Sequence, residues 1–173
     1  ATIEPLKTEM VKIPGGTFKM GRSDGDASEK PEHEMQVADF WMDKTEVSNA
    51  EYYEFVKATN HKTPAVDWAN GKPIEGKENL PVVRVSIDDI NKFAEWRSQR
   101  DGKTYRLPTE EEWEYAARNG GKNNLYPWGD KWEPNVAAVE LDAAKPVGSN
   151  EKSVNEWGVR DLIGNVWEWT NSE

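Results

Sequence analysis

Three helix-start signals crowd the stretch between residues 48 and 112, and the chain downstream of Gly120 offers Asn, Gly and Pro instead. A helix leaves its first N–H groups without partners, so a Ser or Thr followed three residues later by an acid marks a start. Thr109 with Glu112 is the clearest case: it follows Pro108, precedes Trp113, Tyr115, Ala116 and Ala117, and meets a stop at Asn119-Gly120-Gly121. Ser48 with Glu51 opens a second helix through Tyr52, Phe55 and Val56. Ser86 with Asp89 reads as a weaker box, carrying Ile90, Phe93, Ala94 and Arg97 at helical spacing up to Asp101-Gly102. The glutamates at 110 to 112 fall in a first turn, where the helix dipole favours negative charge. They read as helix electrostatics, not as a catalytic carboxylate cluster.

Upstream of these helices the chain alternates. Val11 and Ile13 flank Lys12, and Phe18 and Met20 flank Lys19, with Pro14-Gly15-Gly16 between them. The pattern predicts a hairpin turning at Pro-Gly-Gly, then a polar loop over residues 22 to 34 and an extended stretch through Met35, Val37 and Phe40-Trp41-Met42. Downstream, turn residues at 123–124, 127–130, 134–135 and 146–150 imply long ordered loops. Loops of that length in a compact domain are functional or tied down by something. The expected class is α+β, with short strands, about three helices and a loop-rich second half.

A chain of 173 residues is long enough for one domain with a real core. Its nine tryptophans are expected to dominate that core, each needing a partner for its indole N–H. With 22 basic and 32 acidic residues, a net charge of −10 repels phosphate backbones and argues against nucleic-acid partners. No apolar run approaches the ~20 residues a spanning helix needs. The absence of cysteine removes disulfides, thiolate metal ligands and cysteine nucleophiles from these residues. The start at Ala1, without a charged or apolar leader, fits an excised domain or a processed product.

The strongest chemical candidate is Asp161-Leu-Ile-Gly164-Asn-Val166-Trp-Glu168. Calcium takes oxygen ligands and mixes carboxylates with main-chain carbonyls. In an extended segment the carbonyls of Gly164 and Val166 and the side chain of Glu168 share one parity. Asp161 joins them if Leu162-Ile163 turn, while Trp167 and Trp169 face the other way and anchor the segment. The same residues also read as an ordinary turn, Asp first and Gly fourth, with Glu168 solvated. His33 and His61 lack a second histidine or acid at ligand spacing and read as structural. Asp24-Gly25-Asp26 lacks the later ligands of an EF-hand and reads as a solvated turn.

Four segments in order, MVKIPGGTFKMG (residues 10–21), RLPTEEEWEYAAR (106–118), YPWG (126–129) and GNVWEWT (164–170), resemble the formylglycine-generating enzyme family, also called sulfatase-modifying factors. The resemblance implies a variant of the C-type lectin fold and one domain over residues 1–173, lacking the family's C-terminal segment. It also implies a structural calcium site at Asp161, Gly164, Val166 and Glu168. A second site would use the Asn135 side chain, the Val136 carbonyl and Asp142. Catalytic members are copper-dependent oxygenases that use a cysteine pair in their C-terminal part, and these residues contain neither cysteine nor the segments that should follow. Two functions follow from the resemblance. One is a calcium-stabilised binding or accessory domain, non-catalytic in this stretch, of the kind found fused to bacterial kinases, with a protein, peptide or glycan as ligand. The other is the N-terminal portion of an oxygenase whose reactive residues lie beyond Glu173. Calcium supply tilts the expected location toward an extracytoplasmic compartment.

Overall fold

The computed structural model describes residues 8–24, 27, 31–134, 136–137 and 143–162. Its first four strands are β1 (Met10–Ile13), β2 (Gly16–Met20), β3 (His33–Val37) and β4 (Phe40–Asp43). The expected β1–β2 hairpin does not form. β1 pairs antiparallel with β4 from Met10↔Asp43 to Ile13↔Phe40, and β2 with β3 from Gly16↔Val37 to Met20↔His33. Both pairs keep one register, so together they make a single long ribbon broken only at residues 14–15 and 38–39. Pro14 has no N–H for the ladder, and Gly15 gives its N–H to the Asp39 carboxylate at 2.8 Å. A Cβ on Gly15 would stand 2.2 Å from the Val37 carbonyl oxygen, so the ribbon closes there only around glycine. Pro-Gly-Gly is therefore a pinch in the ribbon, and the chain reverses in the polar stretch after Met20.

Alternation puts Ile13, Phe18, Val37 and Phe40 on one buried face of the ribbon. That face packs on α3 (Glu110–Ala117) through Tyr115, Ala116 and Ala117, and Val159 and Leu162 complete the cluster. Tyr115 meets Phe18 edge-on at 5.3 Å, stacks on Trp157 at 5.9 Å and donates its hydroxyl to the Pro14 carbonyl at 2.9 Å. A second core joins α1 (Asn49–Thr59) and α2 (Ile87–Asp101) over Tyr52, Phe55, Val56, Phe93 and Trp68, the last from the short hairpin of β5 (Trp68–Ala69) and β6 (Lys72–Pro73).

Tyrosine and phenylalanine, more than tryptophan, fill these cores. Of the described tryptophans only Trp68 is buried, its indole N–H donating to Asn49 Oδ1 at 2.9 Å, while Trp41 is 61% exposed. An indole needs a buried acceptor for its N–H, and few are spare inside a small domain; Trp96, Trp113 and Trp157 pack only partly buried against the two clusters.

All three helices start where the caps place them, with one redistribution. The Ser86–Asp89 box is complete in both directions, as is Thr109–Glu112. Ser48 Oγ accepts the Glu51 N–H at 3.2 Å, but the Glu51 carboxylate does not return to the cap. It accepts from the Thr8 hydroxyl and faces Arg97 Nε at 3.7 Å. Arg97 in turn holds Asp43 of β4 through two bonds of 2.8 and 3.1 Å, so a buried ion cluster ties the ribbon to the α1–α2 layer. From residue 123 on, the described residues contain no helix or strand, only the isolated bridges Tyr126↔Gly129 and Val154↔Arg160. No helix among the described residues is long and apolar enough to cross a membrane.

Candidate metal centre

The segment Ser153–Asp161 folds back on itself without regular strand structure. Asn155 N–H donates to the Val159 carbonyl at 2.9 Å, Gly158 N–H to the Asn155 carbonyl at 3.1 Å, and Asp161 N–H to the Ser153 carbonyl at 3.0 Å. The Asn155 side chain organises the turn: its Oδ1 accepts from the N–H groups of Trp157 and Val159, and its Nδ2 donates to the Ala116 carbonyl at 3.0 Å. Val159 and Leu162 then insert into the first core, and Arg160 N–H donates to the Lys44 carbonyl at 2.8 Å just beyond β4. Asn119 braces the other side, with its amide on the Pro127 carbonyl and its Oδ1 on the Glu156 N–H, both at 2.7 Å.

Asp161 is the chemical focus. It is 2% exposed and sits at φ 55°, a left-handed conformation that a short acid tolerates better than most residues. Burial pushes its carboxyl pKa above the ordinary range, against the opposing pull of the Gly148 N–H and the charges of Arg160 and Lys145. That N–H comes from a glycine at φ 66°, where a Cβ would meet Thr45 Cγ2 at 2.7 Å. Arg160 sends its guanidinium to the Gly148 carbonyl at 2.6 Å. Asp161 Oδ1 is left buried with no hydrogen-bond partner, and so is the hydroxyl of Ser153, which is 0% exposed. A buried, unpartnered anionic oxygen costs several kcal/mol unless something cationic or donating meets it, and an oxygen in that state fits a hard divalent cation.

Gly164, Val166 and Glu168, with Trp167 and Trp169, lie outside the described residues, as do Asn135 and Asp142 of the second set. Val136 is buried at 3%, and its carbonyl accepts from the Asn150 amide, so a cation there would share that oxygen. No group of three or more histidines, aspartates or glutamates suited to an ion occurs among the described residues. Among the described residues, the further oxygens open to a cation at Asp161 are those of the main chain and of hydroxyls. Nothing in the sequence singled out Ser153, Gly148 or Asn155. They are ordinary turn residues there, and only their burial reveals them.

The histidines behave structurally. His33 is exposed with Nδ1 on the Pro31 carbonyl at 2.9 Å, and His61 Nε2 meets Asp89 Oδ1 at 2.8 Å while its ring packs on Phe55. The glutamates of α3 are likewise engaged: Glu112 caps the helix and pairs with Arg106 at 2.8 Å, and Glu114 accepts the Gly21 N–H at 3.0 Å. A cleft of about 230 Å³ lies between residues 35–40 of the ribbon and Arg106, Thr109, Glu111 and Glu112. Asp39 at its edge has a lowered pKa, held down by the Gly15 N–H and by Lys12. The turn Tyr126–Gly129 presents aromatic rings outward: Tyr126 and Trp128 lie parallel at 5.3 Å, and Trp132, 45% exposed, closes on both.

A kinked two-stranded ribbon on three short helices, followed by long ordered loops, is the C-type lectin-like fold in its formylglycine-generating variant. Residues 2–173 match the sulfatase-modifying factor enzyme 1-like domain, and the chain belongs to that family. It is 34% identical to the inactive C-alpha-formylglycine-generating enzyme 2 of Mus musculus over 217 residues, covering 94% of this chain and 68% of the relative. It is 31% identical to the formylglycine-generating enzyme of Mycobacterium tuberculosis, covering 97% of this chain and 75% of that one. Among solved structures, PvdO from Pseudomonas aeruginosa superposes with a TM-score of 0.76 at 31% identity, over 94% of this chain and 70% of PvdO. An alignment of 217 residues against a chain of 173 means that the mouse relative carries insertions this chain lacks.

Proposed function

We propose that these residues form a calcium-stabilised binding or accessory domain of the sulfatase-modifying-factor type, with no catalysis within this stretch. The observation that carries the reading is Asp161 Oδ1, an acidic oxygen buried without a partner in a loop-rich part of the molecule. Asp161 and Glu168 would hold the ion with the carbonyls of Gly164 and Val166, and Asn135, Val136 and Asp142 would form a weaker second site. Bound there, calcium supplies positive charge and cross-links loops that have no ladder of their own. The absence of cysteine removes soft copper ligands and thiol nucleophiles from these residues. Family membership covers both an inactive paralogue and active enzymes, so it does not by itself supply the reaction. Similarity to the mycobacterial enzyme supports the second reading, the N-terminal portion of an oxygenase with its reactive residues elsewhere. The exposed ring of Trp132, with the half-buried rings of Tyr126 and Trp128 beside it, offers a face for a protein, peptide or glycan ligand. Millimolar calcium outside the cytosol would suit a moderate-affinity site.

Thermal unfolding tests the metal. A ligand that binds only the folded state stabilises it by about 2.7 kcal/mol at a concentration one hundred times its Kd. The melting temperature should rise with calcium and fall with chelator, and Asp161→Ala and Glu168→Ala should each abolish the response. A melting curve indifferent to millimolar calcium would sink the reading.

A further inference from the structure

We infer that Ser153 supplies, through its hydroxyl, a further oxygen ligand to the divalent cation held at Asp161. The inference rests on the calcium reading and extends it to a residue outside the sequence pattern Asp161–Glu168. It starts from an anomaly of burial. Ser153 is 0% exposed and its Oγ has no hydrogen-bond partner. A hydroxyl is a rotor that can donate to any acceptor in reach and accept from any donor, so it is among the easiest side chains to satisfy. A buried hydroxyl with no protein partner is suited to meet a water or an ion.

Backbone pairing then places that hydroxyl beside the other orphan. Val154 bridges Arg160, Asn155 N–H reaches the Val159 carbonyl and Asp161 N–H reaches the Ser153 carbonyl, so Ser153 and Asp161 are the next cross-strand pair. The bond from the Asp161 N–H to the Ser153 carbonyl at 3.0 Å holds the two residues side by side across the turn, with Asp161 in a left-handed conformation off the alternation of a regular strand. Two buried, unpartnered oxygens, one anionic and one neutral, therefore belong to residues bonded to each other through the backbone of the same turn. The two oxygens do not bond each other, although a hydroxyl–carboxylate bond is among the strongest available to either. A third party that meets both oxygens would satisfy each of them.

The guanidinium of Arg160 is not that third party. Arg160 spends its guanidinium on the Gly148 carbonyl, and the Gly148 N–H is turned to the Asp161 carboxylate. What the pair accommodates is a small species able to take electron density from a carboxylate and a hydroxyl together. A hard divalent cation does so, because calcium accepts neutral oxygens alongside charged ones. A trapped water would also satisfy both groups, and calcium dependence separates the two.

The test is a calcium titration of wild type, Ser153→Ala and Ser153→Cys, read both as the unfolding temperature and as the binding midpoint by titration calorimetry. Without calcium, Ser153→Ala should unfold at or above the wild-type temperature, because it removes a polar atom that has no partner. With calcium, its binding midpoint should move to about tenfold higher concentration, the lower end of the loss seen when a group supporting a metal is removed. Ser153→Cys keeps nearly the same volume but offers soft sulfur, and should show the same shift. If wild type binds calcium and both variants bind it with an unchanged midpoint, Ser153 is not a ligand and the inference falls alone. A Ser153→Ala protein that loses the same stability with and without calcium would mean a water or protein partner, and would also overturn it. A wild type that ignores calcium overturns this inference and the calcium reading together.

Discussion

The ribbon and helices before residue 123 and the loop segment 143–162 are held by different means. In the first region, structure is bought with apolar burial and ladders. Two clusters around Tyr115 and Tyr52 remove most large side chains from water, and charged groups that must be buried find counter-charges, as Arg97 does between Asp43 and Glu51. The second region has almost no regular hydrogen bonding and contributes Val159, Leu162 and the partly buried Trp157 to a core. It is organised by single polar side chains, Asn155 above all, and it contains two buried oxygens that the protein leaves unmet. A segment built this way is stable to the extent that its polar groups are satisfied, and so it can respond to a ligand. The first region also buries a nitrogen outside hydrogen-bond range, Arg97 Nε, but there the Glu51 carboxylate faces it at 3.7 Å.

The largest expected effect tests the independence of the two regions. Phe55 is 1% exposed and touches Tyr52, Phe93, Trp96 and His61. Phe55→Ala should cost about 3–5 kcal/mol by lost burial and cavity formation. Because Phe55 shares no partner with the Ser153–Asp161 turn, that cost should be the same in calcium and in chelator. Equilibrium denaturation under both conditions checks this, and a cost that changes with calcium would mean that the two regions fold as one unit.

The next effect belongs to the loop region. Asn155→Ala leaves the Trp157 and Val159 N–H groups without their partner and removes one donor from the Ala116 carbonyl, which keeps the Asn119 N–H at 3.4 Å. A loss of about 1–3 kcal/mol follows for groups stranded in this way. The variant should also bind calcium more weakly than wild type, since the turn that pairs Ser153 with Asp161 is closed by this side chain. Titration calorimetry on the folded variant reads that second effect, and an unchanged affinity would show that the turn is held from elsewhere.

The same division separates what could be read from the sequence from what could not. The helix starts at Ser48, Ser86 and Thr109 were legible because a cap is a local code, complete within four residues. The ribbon was misread because strand pairing is non-local. Pro14-Gly15-Gly16 has the composition of a turn, and only the partner strand 20 to 30 residues away shows that it is a pinch. Tryptophan count overstated the share of indole in the cores: Trp68 is buried, Trp96, Trp113 and Trp157 pack partly buried against the clusters, and Trp41 and Trp132 are exposed. At the site, Asp161 stood out by its place before Gly164 and Glu168. Ser153 and Gly148 did not, because being buried and lacking a partner are properties of the folded chain alone.

The smallest effect sharpens the contrast between a satisfied acid and an orphaned one. Asp89, buried at the start of α2, is surrounded by donors: the Ser86 N–H and hydroxyl, His61 and, at 3.4 Å, Lys62. Burial works to raise its pKa, but the Ser86 N–H, His61 and the Ser86 hydroxyl outweigh it, and the carboxyl is held well below the usual range. Asp161 is displaced in the opposite direction, because burial there meets too few donors. For Asp89 the sign is fixed by linkage. A folded pKa below the unfolded value of about 3.9 gives stability that is fully present above that value and is lost as pH falls toward the folded one. Asp89→Asn, which cannot ionise, should be less stable than wild type by about 1 kcal/mol near neutrality, the scale of a lost cap. That gap should hold constant down to about pH 5 and close progressively below the ordinary carboxylate range. Chemical denaturation across pH 2.5 to 7 measures it, and a gap that widens on acidification would mean that Asp89 is no better satisfied than Asp161.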